Sequence, residues 1–266
     1  MSNRQAVGRT ADLVRIHGAL LTAGELLRGF TPGSISSRRK SNRDLVTDAD
    51  LAVDLLLKER LLEHNEGWLS EETRDDTNRL HRDRVWVVDP LDGTKEFVAG
   101  IPEWCVSVGL VEEGIAVAGG VLNPSAGFLA LGALTTGCTL NGHEVERSRS
   151  AASLEDATVL ASRSEINRGE WDHWAESGLR LRPMGSVAYK LARVACGLAD
   201  ATWTLVPKNE WDVAAGVALV HASGGRVVSL DGNVPRFNQA SSLMPGLIAS
   251  SPDLFDTLTR TLLPHN

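Results

Sequence analysis

Four apolar residues, Val85-Trp86-Val87-Val88, run straight into Asp89-Pro90-Leu91-Asp92-Gly93-Thr94, and no other stretch restricts the architecture as tightly. A short run rich in β-branched and aromatic residues is the pattern of a buried strand. It meets Asp-Pro abruptly, so the spacing predicts a strand delivering Asp89 at its end, a turn stiffened by Pro90, and Asp92 three residues on. Gly93 lets the backbone approach a ligand closely, and Thr94 offers an N–H and a hydroxyl. If Thr94-Lys95-Glu96-Phe97 opens a helix, its free N–H groups form an anion site. Carboxylates beside an anion site make sense with cations between the two. The same residues also suit an ordinary Asx turn closing a strand.

Two further acidic segments bear on that choice. Ser70-Glu71-Glu72-Thr73 lies just upstream, and Trp211-Asp212 heads a helical pattern far downstream. Asp50, in Asp44-Leu45-Val46-Thr47-Asp48-Ala49-Asp50, starts another. Taken singly, each has a bland reading: a solvated acidic pair, or a first-turn carboxylate favoured by the helix dipole.

Around these segments the pattern changes once. Leu13, Ile16, Leu20, Ala23 and Leu27 recur at helical spacing, a polar loop is expected over Thr31 to Arg43, and a leucine-rich helix over Thr47 to about His64. Trp104 to Val111 and Ile115 to Leu122 read as a hairpin, with a further strand over Phe128 to Leu131. The part up to about residue 145 therefore reads as helices on an antiparallel sheet. Beyond it, strands are expected near Thr158–Ala161, Thr202–Val206, Arg226–Ser229 and Leu247–Ala249, and helices near Ser186–Cys196, Trp211–Ala222 and Pro252–Leu263. That is an α/β half, and with no repeat or linker between them the two parts, about 1–145 and 146–266, are expected to share one interface as a single α/β (α+β) domain.

Bulk properties exclude several classes. A net charge of −7 argues against a nucleic-acid surface. No apolar run approaches the roughly 18 residues that span a bilayer. Asp12, Arg15, His17 and Glu25 interrupt the apolar positions a signal peptide would need, so a cytoplasmic protein is expected. Three scattered cysteines make neither a disulfide framework nor a thiolate zinc site. The seven histidines form no H-x-x-x-H or H-x-H pair, and neither a P-loop nor a G-x-S-x-G elbow occurs.

DLVTDAD, SEET, WVVDPLDGTKEF, and EWDVAAG followed by ASGG resemble the inositol monophosphatase superfamily in order and spacing from about residue 10 to 250. DPLDGTKEF, GSVAYK and EWDVAAG look most like its CysQ branch, whose members are 3′(2′),5′-bisphosphate nucleotidases. The resemblance implies a layered α-β-α-β-α sandwich and a phosphatase acting on a small phosphate ester, adenosine 3′,5′-bisphosphate first. Inositol 1-phosphate, histidinol phosphate, fructose bisphosphate or a pathway-specific nucleotide are the alternatives. A non-catalytic RNA-polymerase or ribosomal-RNA processing partner is a remote one. A homodimer is usual in the superfamily.

Residue by residue, the resemblance implies that Glu71, Asp89 and the Leu91 carbonyl hold one Mg²⁺, that Asp89, Asp92 and Asp212 hold a second, and that a third, looser ion lies near Glu71. All-oxygen ligation without histidine independently suits a hard cation. By the same resemblance, Asp50, Glu71 and Thr94 are expected to form the catalytic set, with Thr94 and Asp50 orienting the attacking water. It also implies that Gly93 and Thr94 bind phosphate and that Ser186, Lys190 and Asp212 meet the substrate. The basic residues Arg38, Arg39, Lys40 and Arg43 match a mobile loop over the site. One departure stands out: Leu205-Val206-Pro207-Lys208 stands where inositol-specific members carry a glutamate for sugar hydroxyls, and a cation there counts against inositol phosphate.

Overall fold

The computed structural model describes residues 3–39, 45–146, 151, 153–175 and 179–263. Ile16, Leu20, Ala23 and Leu27 are buried along one stripe of α1 (Asn3–Leu27), as their spacing predicts. A short hairpin, β1 (Ser37–Arg39) and β2 (Leu45–Thr47), follows, then α2 (Asp48–Leu61). Thus the polar stretch expected as loop contains a strand, because Ser37 to Arg39 finds a partner in Leu-Val-Thr. Lys40 and Arg43 lie outside the described residues.

A seven-stranded sheet comes next, in sequence order: β3 (Gly67–Ser70), β4 (Arg84–Asp92), β5 (Cys105–Glu112), β6 (Ile115–Asn123), β7 (Phe128–Ala133), β8 (Gly137–Leu140) and β9 (His143–Glu144). Its pairs are antiparallel except β3 with β4, which run parallel. The one-turn helix α3 (Thr94–Val98) leaves the end of β4. The second half supplies β10 (Thr158–Ser162), α4 (Arg163–Asn167), α5 (Asp172–Ala175), β11 (Arg180–Met184), α6 (Val187–Ala195) and β12 (Ala201–Trp203). After these come β13 (Lys208–Asn209), α7 (Glu210–Ala222), β14 (Arg226–Ser229), β15 (Leu243–Met244), β16 (Leu247–Ser250) and α8 (Pro252–Leu262). Its sheet has the order β11-β10-β12-β16-β14, mixed parallel and antiparallel.

Three cores separate the layers. Trp86, Val88, Val106 and Val108 pack on α1 and α2. Val85 and Val87, pointing the other way from β4, pack with α6 and α7. Trp203, Ile248 and Val159 pack with Leu254, Phe255 and Leu258 of α8, and Trp171 stacks on Trp203 with centroids 4.7 Å apart. The result is the expected α-β-α-β-α sandwich.

The central layer fits tightly because small residues line it. A side chain at Gly109 would lie 2.9 Å from the Ala215 nitrogen, and one at Gly119 2.6 Å from the Ala215 carbonyl oxygen. Across the layer, Gly216 leaves room for Leu191 of α6. The Ala-Ala-Gly step after Trp211-Asp212 therefore lets α7 lie against both the sheet and α6, which sets where its first turn ends up.

The strand at Asp89-Pro90 does not stop there. β4 continues to Asp92 through a bulge: Asp89 pairs with Ser107 and Asp92 with Cys105, so one residue more is used on β4 than on β5. Pro90 has no N–H to leave unpaired in that bulge. Conversely, the strand expected over Thr202–Val206 ends at Trp203, and β3, β8, β9, β11, β13, β15, α4 and α5 had no sequence expectation, β11 because Arg180, Arg182 and Pro183 break its apolar pattern.

Candidate active site

The bulge explains how Asp89 and Asp92 share a site. Residues three apart on a regular strand face opposite sides; the extra residue brings both, with Leu91, to the edge of one cleft of about 330 Å³. The Asp89 carboxylate accepts the Leu91 N–H at 3.0 Å, which holds the turn from within. Gly93 follows at φ +96, where a side chain would also sit 2.9 Å from the Glu103 carbonyl oxygen, so only glycine serves there.

Two more carboxylates reach the site from helix starts. Asp50 is the third residue of α2 and accepts the N–H of Thr47 at 2.8 Å and its hydroxyl at 2.5 Å. Asp212 holds the equivalent place in α7 and accepts the Asn209 N–H at 2.9 Å. The bland first-turn reading of both is therefore true, and it is also how both are aimed. Asp50 lies behind the cleft wall and meets the site through Thr94, whose hydroxyl lies 2.9 Å from Asp50 Oδ1 and 3.0 Å from the Leu91 carbonyl.

Glu71 lines the cleft from the end of β3, where its N–H continues the ladder to the Val88 carbonyl at 3.3 Å. Its loop is fastened by Asp54 of α2, which accepts the hydroxyls of Ser70 at 2.5 Å and Thr73 at 2.6 Å. Sequence reasoning missed Asp54. The available signal was its place one helical turn after Asp50, with a serine and a threonine flanking the glutamates.

Like charge dominates this end. Asp89 is held well above the usual carboxylate range by burial first, then by Glu71, Asp92 and Asp212. Asp212 is pushed up to about 8 by burial, Asp92 and Glu71. Burial raises Asp92 too, against the pull of Ser186 and the Ala188 N–H. Among the described residues no three acidic, histidine or cysteine side chains already close into an ion cage. Mg²⁺ suits such openness, since it keeps several waters and takes one or two carboxylates plus substrate phosphate oxygens. An all-oxygen set with no histidine on the cleft wall fits that ion and disfavours zinc.

The cleft also carries basic residues. Lys95, Lys190, Lys208, Arg163 and Arg168 line the same cleft, and the charges of Lys190 and Lys208 act on Asp92. Lys190, one turn into α6, is almost fully buried and lowered to about 8 by that burial. Ser186 caps α6 at φ 55, a positive φ that is uncommon for a residue other than glycine. Its hydroxyl donates to Asp92 Oδ2 at 2.7 Å and accepts the Tyr189 N–H, while the Ala188 N–H adds a second bond to the same carboxylate oxygen at 2.6 Å. Ser186 thus lines the cleft with its proton committed to Asp92. Arg163 pairs with Glu103 at 2.6 Å, and Glu103 also accepts the Gly185 N–H. Arg38 is exposed and paired with Asp48 at 2.7 Å; the side chain of Arg39 lies outside the described set.

The sequence-derived residues Glu71, Asp89, Leu91, Asp92, Gly93, Thr94, Ser186, Lys190 and Asp212 all line this one cleft. Arg163, Arg168 and Glu96 join them without having been singled out, because their chemistry is set by what faces them across the fold.

Known proteins resemble this chain in sequence and in fold. Residues 12–264 match the model of the inositol monophosphatase family. Inositol monophosphatase 2 of Solanum lycopersicum is 35% identical over 225 residues, covering 79% of this chain and 84% of that protein. An inositol monophosphatase structure from Anabaena superposes with a TM-score of 0.76 at 29% identity, covering 99% of this chain and 98% of that one. CysQ from Bacteroides thetaiotaomicron superposes with a TM-score of 0.73 at 28% identity, covering 91% and 97%. Inositol monophosphatase is the commoner name among the similar curated proteins. No described helix is long and apolar enough to cross a membrane.

Proposed function

Because the chain belongs to the inositol monophosphatase family and is a magnesium-dependent phosphomonoesterase by that membership, we propose that its cleft hydrolyses a small hydroxyl-bearing phosphate monoester of the inositol 1-phosphate type. The observation that carries this reading is the convergence of Glu71, Asp89, Asp92 and Asp212 beside Thr94, itself bonded to Asp50. The names of the similar proteins support the polyol ester over the nucleotide expected from DPLDGTKEF.

Glu71, Asp89, the Leu91 carbonyl, Asp92 and Asp212 would hold two to three Mg²⁺ ions. When bound, these neutralise the phosphate dianion and lower the pKa of water. The rest falls to the chain. Thr94 Oγ1 has one proton; given to Asp50 Oδ1, it leaves the oxygen's lone pairs to accept from the attacking water and fix its direction. Asp50 is raised by burial, opposed by its bonds from Thr47 and Thr94, so it is a confined acceptor at the end of that relay. Gly93 and Thr94 present backbone N–H groups to the phosphate. Ser186 and the Ala188 N–H keep Asp92 turned to the cleft.

A second reading has its own support. Lys190, Lys208, Arg163 and Arg168 in the cleft lining would suit a second phosphate, as in a 3′,5′-bisphosphate nucleotide. Phosphate release with Mg²⁺ from inositol 1-phosphate, glycerol 2-phosphate, histidinol phosphate, fructose bisphosphate and adenosine 3′,5′-bisphosphate decides between them. The first reading expects the highest kcat/KM for the inositol ester. A clear preference for the bisphosphate nucleotide overturns it in favour of the second, and no turnover of any ester overturns both.

A further inference from the structure

The carboxylates of the cleft are accounted for except one. Asp89, Asp92 and Asp212 accept bonds from Leu91, from Ser186 and Ala188, and from Asn209, and Glu71 sits among them. Glu103 is closed off by Arg163 and the Gly185 N–H. Glu96, in the first turn of α3, is only 8% exposed yet lines the cleft. Its carboxylate makes no hydrogen bond or ion pair with any other described residue; its own N–H is the donor within reach. It lies flat against the backbone of Gly185, where an added side-chain carbon would stand 2.4 Å from Glu96 Cδ.

A carboxylate so covered, with no donor from its neighbours, is costly to maintain unless something else supplies one. Arg163 draws its charge from a distance, but that guanidinium is turned to Glu103. The donor must therefore come through the open side of the cleft. Lys190, Lys208 and Arg163 line the same cleft, so a cationic donor entering it meets like charge, with Asp92 and Glu103 acting on Glu96 in the opposite sense. Neutral O–H groups meet no such barrier. We propose that Glu96 is the specificity-determining acceptor for hydroxyl groups of the substrate, a role that rests on the cleft being the phosphatase site. Gly185 is the space that lets it take this position.

The test compares matched esters with and without ring hydroxyls, myo-inositol 1-phosphate and cyclohexyl phosphate, in the Mg²⁺-loaded enzyme. Glu96→Met keeps the length and removes the acceptor. It should lower the kcat/KM ratio of the inositol to the cyclohexyl ester by about tenfold or more, mainly through KM, as expected for a bond to a charged group. Glu96→Gln, which retains one acceptor oxygen, should fall between that variant and the wild type. The Mg²⁺ half-saturation should stay at its wild-type value. Equal losses on both esters would make Glu96 a purely structural residue, and a shifted Mg²⁺ dependence would make it a metal ligand; either overturns the inference. The polyol reading is judged separately, by the wild type alone. If that enzyme prefers another hydroxylated ester, the ratio is measured on it and its deoxy analogue, and an unchanged ratio overturns the role of Glu96 there.

Discussion

Strand β4 carries a cluster of carboxylates at each end, and the two behave in opposite ways. At its start, Arg84 meets Asp12 at 2.6 Å, Glu112 at 2.5 Å and Glu66 at 3.3 Å, while Arg9 pairs with Asp12 and Glu112, and Arg15 with Glu66. Three arginines face three carboxylates. Burial would raise Glu66, but Arg15, the Trp86 indole N–H and the Glu63 N–H hold it down at about 2. Glu112 is lowered too, chiefly by Arg9. At the other end, Asp89, Asp92 and Asp212 have no ion-paired lysine or arginine among the described residues, and all three are pushed up. One strand thus ties α1 to the sheet with matched charge at one end and leaves its charge to be matched from outside at the other. Buried like charges mark function where buried ion pairs mark structure.

The strongest way to break that contrast is Asp89→Asn. The amide keeps the oxygen that accepts the Leu91 N–H but loses the charge a cation needs. Turnover should fall by at least about 10³-fold, roughly 4 kcal/mol of barrier, in steady-state phosphate release. The metal-free variant should melt no lower than wild type, since one buried like charge is gone. Near-normal kcat in the folded variant would remove Asp89 from the metal set.

Next in size is the response to added Mg²⁺. At about a hundred times its dissociation constant, Mg²⁺ should stabilise the protein by about 2.7 kcal/mol, seen as a rise in Tm. Most of that rise should disappear in Asp89→Asn. Ca²⁺, which prefers more ligands and looser geometry, should raise Tm without supporting turnover. A Tm indifferent to Mg²⁺ would contradict the account of the acidic end.

The paired end should answer to acid instead. A depressed carboxylate contributes stability that is complete above its unfolded value, near 4.5, and is lost as pH falls towards its folded value, about 2. Glu66→Gln should therefore cost about 1–2 kcal/mol at neutral pH, after allowance for solvent screening through its partly exposed partner Arg84. The gap to wild type should close between pH 4.5 and 2. A gap that stays constant in that window would mean packing, not charge, makes the difference.

The smallest effect sharpens the comparison rather than breaking it. Asp54 reaches the acidic end only by fastening Ser70 and Thr73 around Glu71. Asp54→Asn should raise the Mg²⁺ concentration for half-maximal activity about tenfold while leaving kcat at saturation nearly intact, as for other residues that hold a ligand in place. A fall in kcat with unchanged Mg²⁺ dependence would assign Asp54 a different task.

The contrast also explains what the sequence made legible. Asp89-Pro90-Leu91-Asp92-Gly93-Thr94, SEET and Trp211-Asp212 stand out because each segment's chemistry is local, and α1, α2, α6, α7 and α8 because their apolar spacing is sustained. The bulge was not legible, since Asp-Pro after an apolar run has the same pattern whether the strand ends or steps sideways. Asp54, Glu96 and Arg163 owe their roles to Ser70 and Thr73, to Gly185, and to Glu103, partners that only folding brings near. Pattern reaches as far as one element; pairing across elements is decided by the packing of α7 and α6 against the sheet.

Asp50 and Asp212 stand at the same station, each bonded to the amide three residues before it. Those two bonds are also what keeps the first turns of α2 and α7 from fraying. With Asp50 and Asp212 in the roles proposed above, readiness for the reaction becomes a local folding equilibrium: whenever either turn unwinds, its carboxylate swings away with it. The amide protons of Thr47 and Asn209 exchange with solvent only in those moments, so their protection measures how much of the population is poised at any instant. A loosened helix start, far too small an event to register as unfolding, would dim the enzyme without denaturing it.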